Sequence, residues 1–298
     1  MTETTDFEAL VEKAVTAGGG TLDRLRPVLT KELLHYDILF ALDSESLLDS
    51  ITFQDGTSLR LCYGSPRYSE DLDFAGGWEF DAKQLMNMKS CIEQYVGGRY
   101  GLEVTVKEPR EVVMEQEGKN IRVHKWQIRI VTSPGRPDLP KQMIKIEVAS
   151  VPAHTRVPQL LRKNYDFLPD GYQDMIVMVE SREEIMADKL ISLVDCPYLR
   201  HRDIWDLQWL HQQGTQIDAE LVRSKLTDYK IGDYAAKVDK MVERLPGIVH
   251  ADEFKNQMGR FIQQDVRERT LHKAKFLDAL QNEVIGLLIR AKNEQQTK

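Results

Sequence analysis

The sequence contains few cysteines, no long apolar run and no excess of positive charge. Cys62, Cys91 and Cys196 are widely spaced among 298 residues, so they form neither a zinc-binding pattern nor a disulfide framework. Isolated thiols are typical of the reducing cytoplasm, where we expect the protein to act. The acidic N-terminus lacks a secretory signal, and no run approaches the ~18 apolar residues of a membrane-spanning helix.

The charge balance limits the partners that the chain can have. A formal net charge of −7 argues against indiscriminate binding of nucleic acids, which needs a dominant positive field. Basic residues do cluster locally, at Arg162-Lys163 and at Arg200-His201-Arg202. Such clusters are typical of a solvated surface, and contact with phosphate is the alternative interpretation.

Hydrophobic periodicity predicts an α+β fold of two domains. Apolar residues at three- and four-residue spacing predict helices over the first fifty residues, and a second helical segment is expected from Asp81 to Val96. From Ser181 onward the pattern is helical throughout. We therefore expect an α+β domain over residues 1–178 and a helical domain over 179–298. The predicted strands are Ile51–Gln54, Asp71–Phe74, Leu102–Lys107, Trp126–Thr132 and Met143–Ser150.

Two aspartates occupy alternate positions in one predicted strand. Asp71 and Asp73 should project from the same face, while Leu72 and Phe74 point into the core. Paired carboxylates suit Mg²⁺, which prefers hard oxygen ligands and is commonly shared with substrate phosphates. The alternative is an acidic edge strand or loop exposed to solvent.

A second motif precedes the aspartates. Gly56-Thr57-Ser58 follows a strand and opens a helix, where free backbone N–H groups favour a phosphate. Gly56 allows close approach of the backbone, and the two hydroxyls are potential donors to phosphate oxygens. The alternative is that Thr57 or Ser58 only caps the helix. In combination with the aspartates, the motif predicts a site for a triphosphate and a metal.

The segment from Phe53 to Phe74 resembles the signature of the AbiEii/AbiGii-type toxin nucleotidyltransferases, within the DNA-polymerase-β-like superfamily. The match is closest over Arg67-Tyr-Ser-Glu-Asp-Leu-Asp-Phe74. At the start of the motif the family usually has Phe-Lys-Gly-Gly-Thr. This chain instead has Gln54 and Asp55, which brings a carboxylate near the expected phosphates.

The resemblance implies further site residues. A third metal-binding carboxylate corresponds to Glu147, which alternation places on the polar face of its strand. Lys189 matches the lysine that contacts the triphosphate. Independently of the resemblance, Arg67 is an expected phosphate contact because it lies just ahead of the carboxylates. Without the resemblance, Glu147 would be an exposed residue paired with a nearby cation, and Lys189 a solvated lysine.

The last implied element is a helix that begins with Arg202-Asp203-Ile-Trp-Asp206. Asp203 matches the catalytic position of the family. Asp206 lies one turn further along, and its pairing with Arg202 would merely stabilise the helix.

The resemblance also implies a fold and an activity. We expect a polymerase-β-like mixed sheet flanked by helices, which uses Mg²⁺ to transfer a nucleoside monophosphate from an NTP to an acceptor. The expected acceptor is the 3′ end of tRNA, and the expected protein partner is a separately encoded antitoxin. The alternatives are a small-molecule, antibiotic-type nucleotidyltransferase and a module that binds nucleotide without catalysis.

Overall fold

The computed structural model describes residues 5–17, 22–116, 119–136, 138 and 140–296. The chain divides into two compact units, Met1–Val179 and Glu180–Lys298. Over the described residues the first unit contains strands and helices, and the second contains helices only, as the periodicity predicts. Each helix in these ranges is too short or too polar to cross a bilayer.

The first unit contains seven strands and four α-helices in its described part. A π-helical turn over Leu59–Tyr63 extends the short third helix. In chain order the elements are α1 Phe7–Ala17, α2 Arg26–Ser44, β1 Thr52–Gln54, α3 Asp55–Ser58, β2 Leu72–Ala75, α4 Met88–Tyr100, β3 Val104–Gln116, β4 Lys119–Ile130, β5 Gln142–Ala149, β6 Val157–Leu160 and β7 Ile176–Val179.

The seven strands form one mixed sheet in the order β3-β4-β5-β2-β1-β7-β6. The central strand β2 is antiparallel to β1 and parallel to β5, and β1 is parallel to β7. In β5, Ile144, Ile146 and Val148 are fully buried, whereas the intervening residues lie on the opposite, more open face. Helices α2 and α4 contact β5 and β3 respectively, so the core lies under the sheet.

The sequence prediction identified the centre of the sheet and missed one edge. Each predicted strand overlaps an observed one, and β3 and β4 extend further as a long hairpin. The predicted helix from Asp81 begins later, at Met88, after a short 3₁₀ turn. Strands β6 and β7 were not predicted. Each has only four residues, and β6 contains Pro158, so neither shows a strand pattern that can be recognised from the sequence alone.

A buried carboxylate links the helices of the first unit. Asp37 in α2 accepts hydrogen bonds from the hydroxyls of Tyr100 and Tyr172, and it lies 3.3 Å from Nε of Arg99. Burial raises the pKa of Asp37 to about 6, in spite of these favourable partners. The interaction therefore connects α2, α4 and the segment before β7 through a group that is costly to ionise.

The second unit is built from seven helices in its described part. The long helices α8 and α11 pack together, with Val238, Leu245, Leu280 and Leu287 buried. The elements are α5 Arg182–Asp195, α6 His201–Gln212, α7 Ala219–Asp228, α8 Tyr234–His250, α9 Asp252–Met258, α10 Gln264–Arg269 and α11 Ala274–Gln296.

A buried lysine joins two helices of this unit. Nζ of Lys225 in α7 lies 3.0 Å from Glu180, 2.8 Å from Glu184 and 2.9 Å from Asp188. The hydroxyl of Tyr229 donates to Asp188 at 2.7 Å. Burial raises the pKa of Glu180 well above its usual range, which reduces the repulsion among the three carboxyl groups.

The pKa of Asp37 predicts a pH dependence of stability. Its ordinary value is 3.8 and its folded value about 6, so between these values the folded state holds the proton more tightly than the unfolded state. Ionisation therefore destabilises the fold as the pH rises through this window. The free energy of unfolding, relative to an Asp37→Asn variant, should fall by ~2 kcal/mol from pH 4 to pH 7. Urea unfolding of both proteins across this range measures the difference, and a constant difference would contradict the assignment.

Candidate active site

The predicted metal ligands lie on adjacent strands of the sheet. Asp73 in β2 is the direct register partner of Glu147 in the parallel strand β5, so both side chains leave the same face. Asp73 is also opposite Gln54, the last residue of β1. Leu72 and Phe74 are buried on the other face, as predicted. The register thus brings together residues that are far apart in the sequence.

Asp71 differs from the prediction in its local structure. It lies immediately before β2, which begins at Leu72. One of its carboxylate oxygens accepts a hydrogen bond from the backbone N–H of Lys145 at 3.0 Å, and the other lies 3.5 Å from Nζ of the same residue. Asp71 is therefore anchored to β5 through both the backbone and the side chain of Lys145.

Two lysines neutralise this acidic face. Lys145 pairs with Asp71, and Nζ of Lys125 in β4 lies 3.1 Å from Glu147. The pairing of Glu147 matches the alternative considered for it from the sequence. Neither lysine was predicted to belong to the site, because Lys125 reaches Glu147 only through the register of β4 against β5.

The carboxylates fit Mg²⁺ by the chemistry of their donors. Asp73, Glu147 and Asp71 offer hard oxygen ligands on neighbouring strands, and two of them already hold cationic groups. Among the described residues, they are not one of the sets of three whose ligand atoms all lie within 4.8 Å of one another. Binding of a shared ion would require these side chains to turn from the lysines towards it.

The predicted phosphate-binding motif Gly56-Thr57-Ser58, which we call the phosphate loop, follows Gln54, the residue opposite Asp73. Helix α3 starts at Asp55 with Gln54 as its N-cap, so the expectation that Thr57 or Ser58 caps the helix is wrong. The hydroxyl of Thr57 donates to the backbone carbonyl of Asp71, and that of Ser58 to the carbonyl of Asp55 at 2.7 Å. Both hydroxyls are thus used within the fold. The backbone N–H groups of the first turn are left as the predicted donors to phosphate.

Asp55 adopts a backbone conformation that favours glycine. Its φ is 61°, in the left-handed region, where the family usually has a glycine. Aspartate is one of the few other residues that visit this region readily. The substitution therefore preserves the shape of the loop while adding a half-buried carboxylate.

Gly56 makes room for a buried arginine. A Cβ atom at Gly56 would collide with the guanidinium group of Arg67, which is only 2% exposed. Nη1 of Arg67 donates to the carbonyl of Tyr68 at 2.8 Å. Arg67 thus supports the loop from beneath, and its predicted contact with phosphate stays a prediction.

Helix α2 holds the segment that leads into β2, through contacts with Glu70. Nε2 of His35 hydrogen-bonds to the carbonyl of Glu70 at 3.0 Å, and Lys31 pairs with the Glu70 carboxylate at 3.0 Å. Burial lowers the pKa of His35 to about 4, so the ring is neutral and its N–H donates to the carbonyl.

The same helix anchors the chain after the loop. The Glu32 carboxylate binds Arg60 at two points, 2.8 and 3.0 Å, and Arg60 also donates to the carbonyl of Ser65. Such a bidentate, buried pair has a specific geometry. These supporting contacts were not predicted, because nothing in the helical pattern of the sequence distinguishes His35 or Glu32 from solvent-facing residues.

In the second unit, Lys189 and Asp203 form a buried ion pair. Nζ of Lys189 lies 3.1 Å from Asp203 and 2.8 Å from Asp206, and all three side chains are at most 3% exposed. Asp203 also accepts hydrogen bonds from Ser192 at 2.6 Å and pairs with Arg200 at 2.8 Å. The alternative of a solvated Lys189 is therefore wrong, and Asp206 pairs with Lys189.

Comparison with known proteins identifies a family. A sequence model described as the nucleotidyl transferase AbiEii toxin of a type IV toxin–antitoxin system matches residues 37–282. No curated protein matches the chain.

Two solved structures from Helicobacter pylori are similar, at 18% identity and a TM-score of 0.41. The match to the first, JHP933, covers 90% of this chain and 92% of the JHP933 chain. The second, a candidate nucleotidyltransferase, is covered to 95% with the same share of this chain.

The conformation of Asp55 leads to a test of the loop. Asp55→Ala and Asp55→Gly both remove the carboxylate and differ only in the Cβ atom. Because a left-handed residue with a Cβ is strained, the glycine variant should be more stable by about 1 kcal/mol. Urea unfolding of the two variants measures this difference, and equal stabilities would contradict the conformation.

The buried pairs of Lys189 lead to a second test. Lys189→Met would leave Asp203 and Asp206 without their cation and should lower the free energy of unfolding by about 3–5 kcal/mol. Adding Asp203→Asn and Asp206→Asn should recover much of the loss. Urea unfolding followed by circular dichroism measures the loss, and a Lys189→Met variant of wild-type stability would exclude the buried network.

Proposed function

We propose that this chain, which belongs to the AbiEii family of nucleotidyl transferase toxins, transfers a nucleoside monophosphate from an NTP to an acceptor hydroxyl. The observation that carries the proposal is the register of β1, β2 and β5. It sets Asp73 between the start of the phosphate loop and Glu147. Nucleotide and carboxylates can then meet on one face of the first unit.

The carboxylates would hold Mg²⁺. Asp71 and Asp73 are the principal ligands in this proposal, and Glu147 is the third. When bound there, Mg²⁺ offsets the negative charge of the triphosphate and of the departing pyrophosphate. The proposal requires Lys125 and Lys145 to exchange their carboxylate partners for phosphate oxygens as the ion binds.

The transfer step assigns a separate role to each of the other site residues. In the transfer, the acceptor oxygen bonds to the α-phosphorus, the bond from that phosphorus to the bridging oxygen breaks, and pyrophosphate leaves. Glu147 helps to remove the proton of the attacking hydroxyl. Backbone N–H groups at Gly56 and Thr57 receive the phosphates at the start of the helix. Ser58 and Arg67 are the other proposed nucleotide-binding residues of this segment.

In the second unit, the proposed nucleotide-contacting residue is Lys189 and the proposed catalytic residue is Asp203. Their burial within one ion-paired network supports a fixed geometry. We further propose a polymerase-β-like domain over residues 1–178 and a helical domain over residues 179–298.

The acceptor in this proposal is the 3′ end of tRNA, and the protein acts in the cytoplasm. Because the family belongs to type IV toxin–antitoxin systems, a separately encoded antitoxin is the proposed protein partner. Asp55 adopts the left-handed conformation that a glycine would adopt there, so the substitution leaves the shape of the nucleotide-binding loop intact.

A labelling experiment tests the proposal. The protein is incubated with Mg²⁺, each of the four α-labelled NTPs, and either total tRNA or a mixture of aminoglycosides. We expect label on tRNA. Label on aminoglycosides alone would favour the small-molecule alternative, and bound NTP without any product would favour the non-catalytic one.

Substitution of the central carboxylate should remove the activity. Asp73→Asn keeps the size of the side chain and removes the charge that binds the metal, so transfer should fall by roughly 10³-fold. A matched control is Glu103→Gln, which removes an exposed carboxylate of the same unit and should leave transfer unchanged. Retained transfer in Asp73→Asn would overturn the site.

A further inference from the structure

Four basic side chains share the sheet face of Asp73 and Glu147. Lys107 belongs to β3, Lys125 and Arg129 to β4, and Lys145 to β5. We call these four residues the basic strip. They are spread over the 38 positions from Lys107 to Lys145 and therefore form no basic cluster in the sequence.

The strand registers place the strip on one face. Lys125 is directly opposite Glu147, and Gln127 is opposite both Lys145 and Lys107. Arg129 lies two residues beyond Gln127 in β4, so its side chain leaves the same face. Strands are spaced by about 4.8 Å, so the strip extends roughly 15 Å from the strand of Asp73 to that of Lys107.

The face is open to solvent. Lys107 and Arg129 are exposed, and the side chains of Lys125 and Lys145 retain 28% and 38% of their accessible surface. The opposite face of the same strands is buried, with Trp126, Ile128, Ile144 and Ile146 in the core. A positively charged, uncovered surface thus begins at the carboxylates of the candidate site.

The strip has an inner and an outer part. The inner lysines, Lys125 and Lys145, pair with Glu147 and Asp71. In the part of the chain that the structure describes, the outer residues Lys107 and Arg129 have no carboxylate within ion-pair distance. Their charges are available to a partner although the whole chain carries a net charge of −7.

We propose that the basic strip binds the phosphate backbone of a polynucleotide acceptor, a step that rests on the proposed transferase function. An acceptor strand that presents its hydroxyl to the carboxylates must leave the site across an adjoining surface, and this surface carries the complementary charge. Because Trp126 faces the core, the strip contacts phosphates and does not stack on bases. Binding is therefore tolerant of sequence and sensitive to salt.

Direct binding tests the strip without any catalysis. The affinity of the full chain for fluorescently labelled tRNA is measured by anisotropy at several salt concentrations, in EDTA and without NTP. Lys107→Gln/Arg129→Gln should weaken binding at least tenfold and make the slope of log K against log salt shallower by about 1.5. A single-stranded DNA arm separates recognition of RNA from recognition of phosphate alone.

A control with the same change of charge accompanies the variant. Lys13→Gln/Lys83→Gln removes two exposed cations from helical segments of the same unit, outside the sheet. The control should bind tRNA within twofold of the wild type. Circular dichroism of both variants checks that the fold is retained.

Three outcomes would overturn the proposal. They are unchanged tRNA binding by Lys107→Gln/Arg129→Gln, equal weakening by the control, and binding of polyglutamate in preference to tRNA, which would indicate an acidic protein partner. Because no product is measured, an inactive protein that binds tRNA through the strip would refute the transferase function and support the strip. A transferase that ignores the strip would give the reverse result.

Discussion

The parallel pairing of β2 with β5 is the constraint on which the candidate site depends. It brings Asp73 beside Glu147 across 74 positions of sequence and leaves both on the open face of the sheet. The antiparallel pairing of β1 with β2 adds the start of the phosphate loop at the same point. Since side chains alternate along a strand, a shift of one residue in either pairing would turn these groups into the core.

Buried polar contacts make that arrangement rigid. Glu32 and His35 in α2 hold Arg60 and the carbonyl of Glu70, and the Thr57 hydroxyl binds the carbonyl of Asp71. Each contact holds backbone near the site without using a predicted catalytic group. In this respect the first unit resembles a preorganised site, in which supporting residues limit the movement of the ligands.

The second unit uses charge in a different way. Lys189 and Lys225 are both buried, each among two or more carboxylates. Such networks are sensitive to removal of either charge, because the remaining charge is left buried and unpaired. A loss of activity in a variant of Lys189 would therefore reflect the fold of this unit as well as any contact with nucleotide.

Local motifs and periodicity were enough to identify the family, the strand of Asp73, the polar position of Glu147 and the change to helices near Ser181. Which residues meet depends instead on strand pairing and helix packing. The pairing of Lys125 with Glu147 and the whole basic strip follow from strand register, and the burial of Lys189 follows from helix packing. Register and packing join residues that are distant along the chain, so no local pattern carries that information.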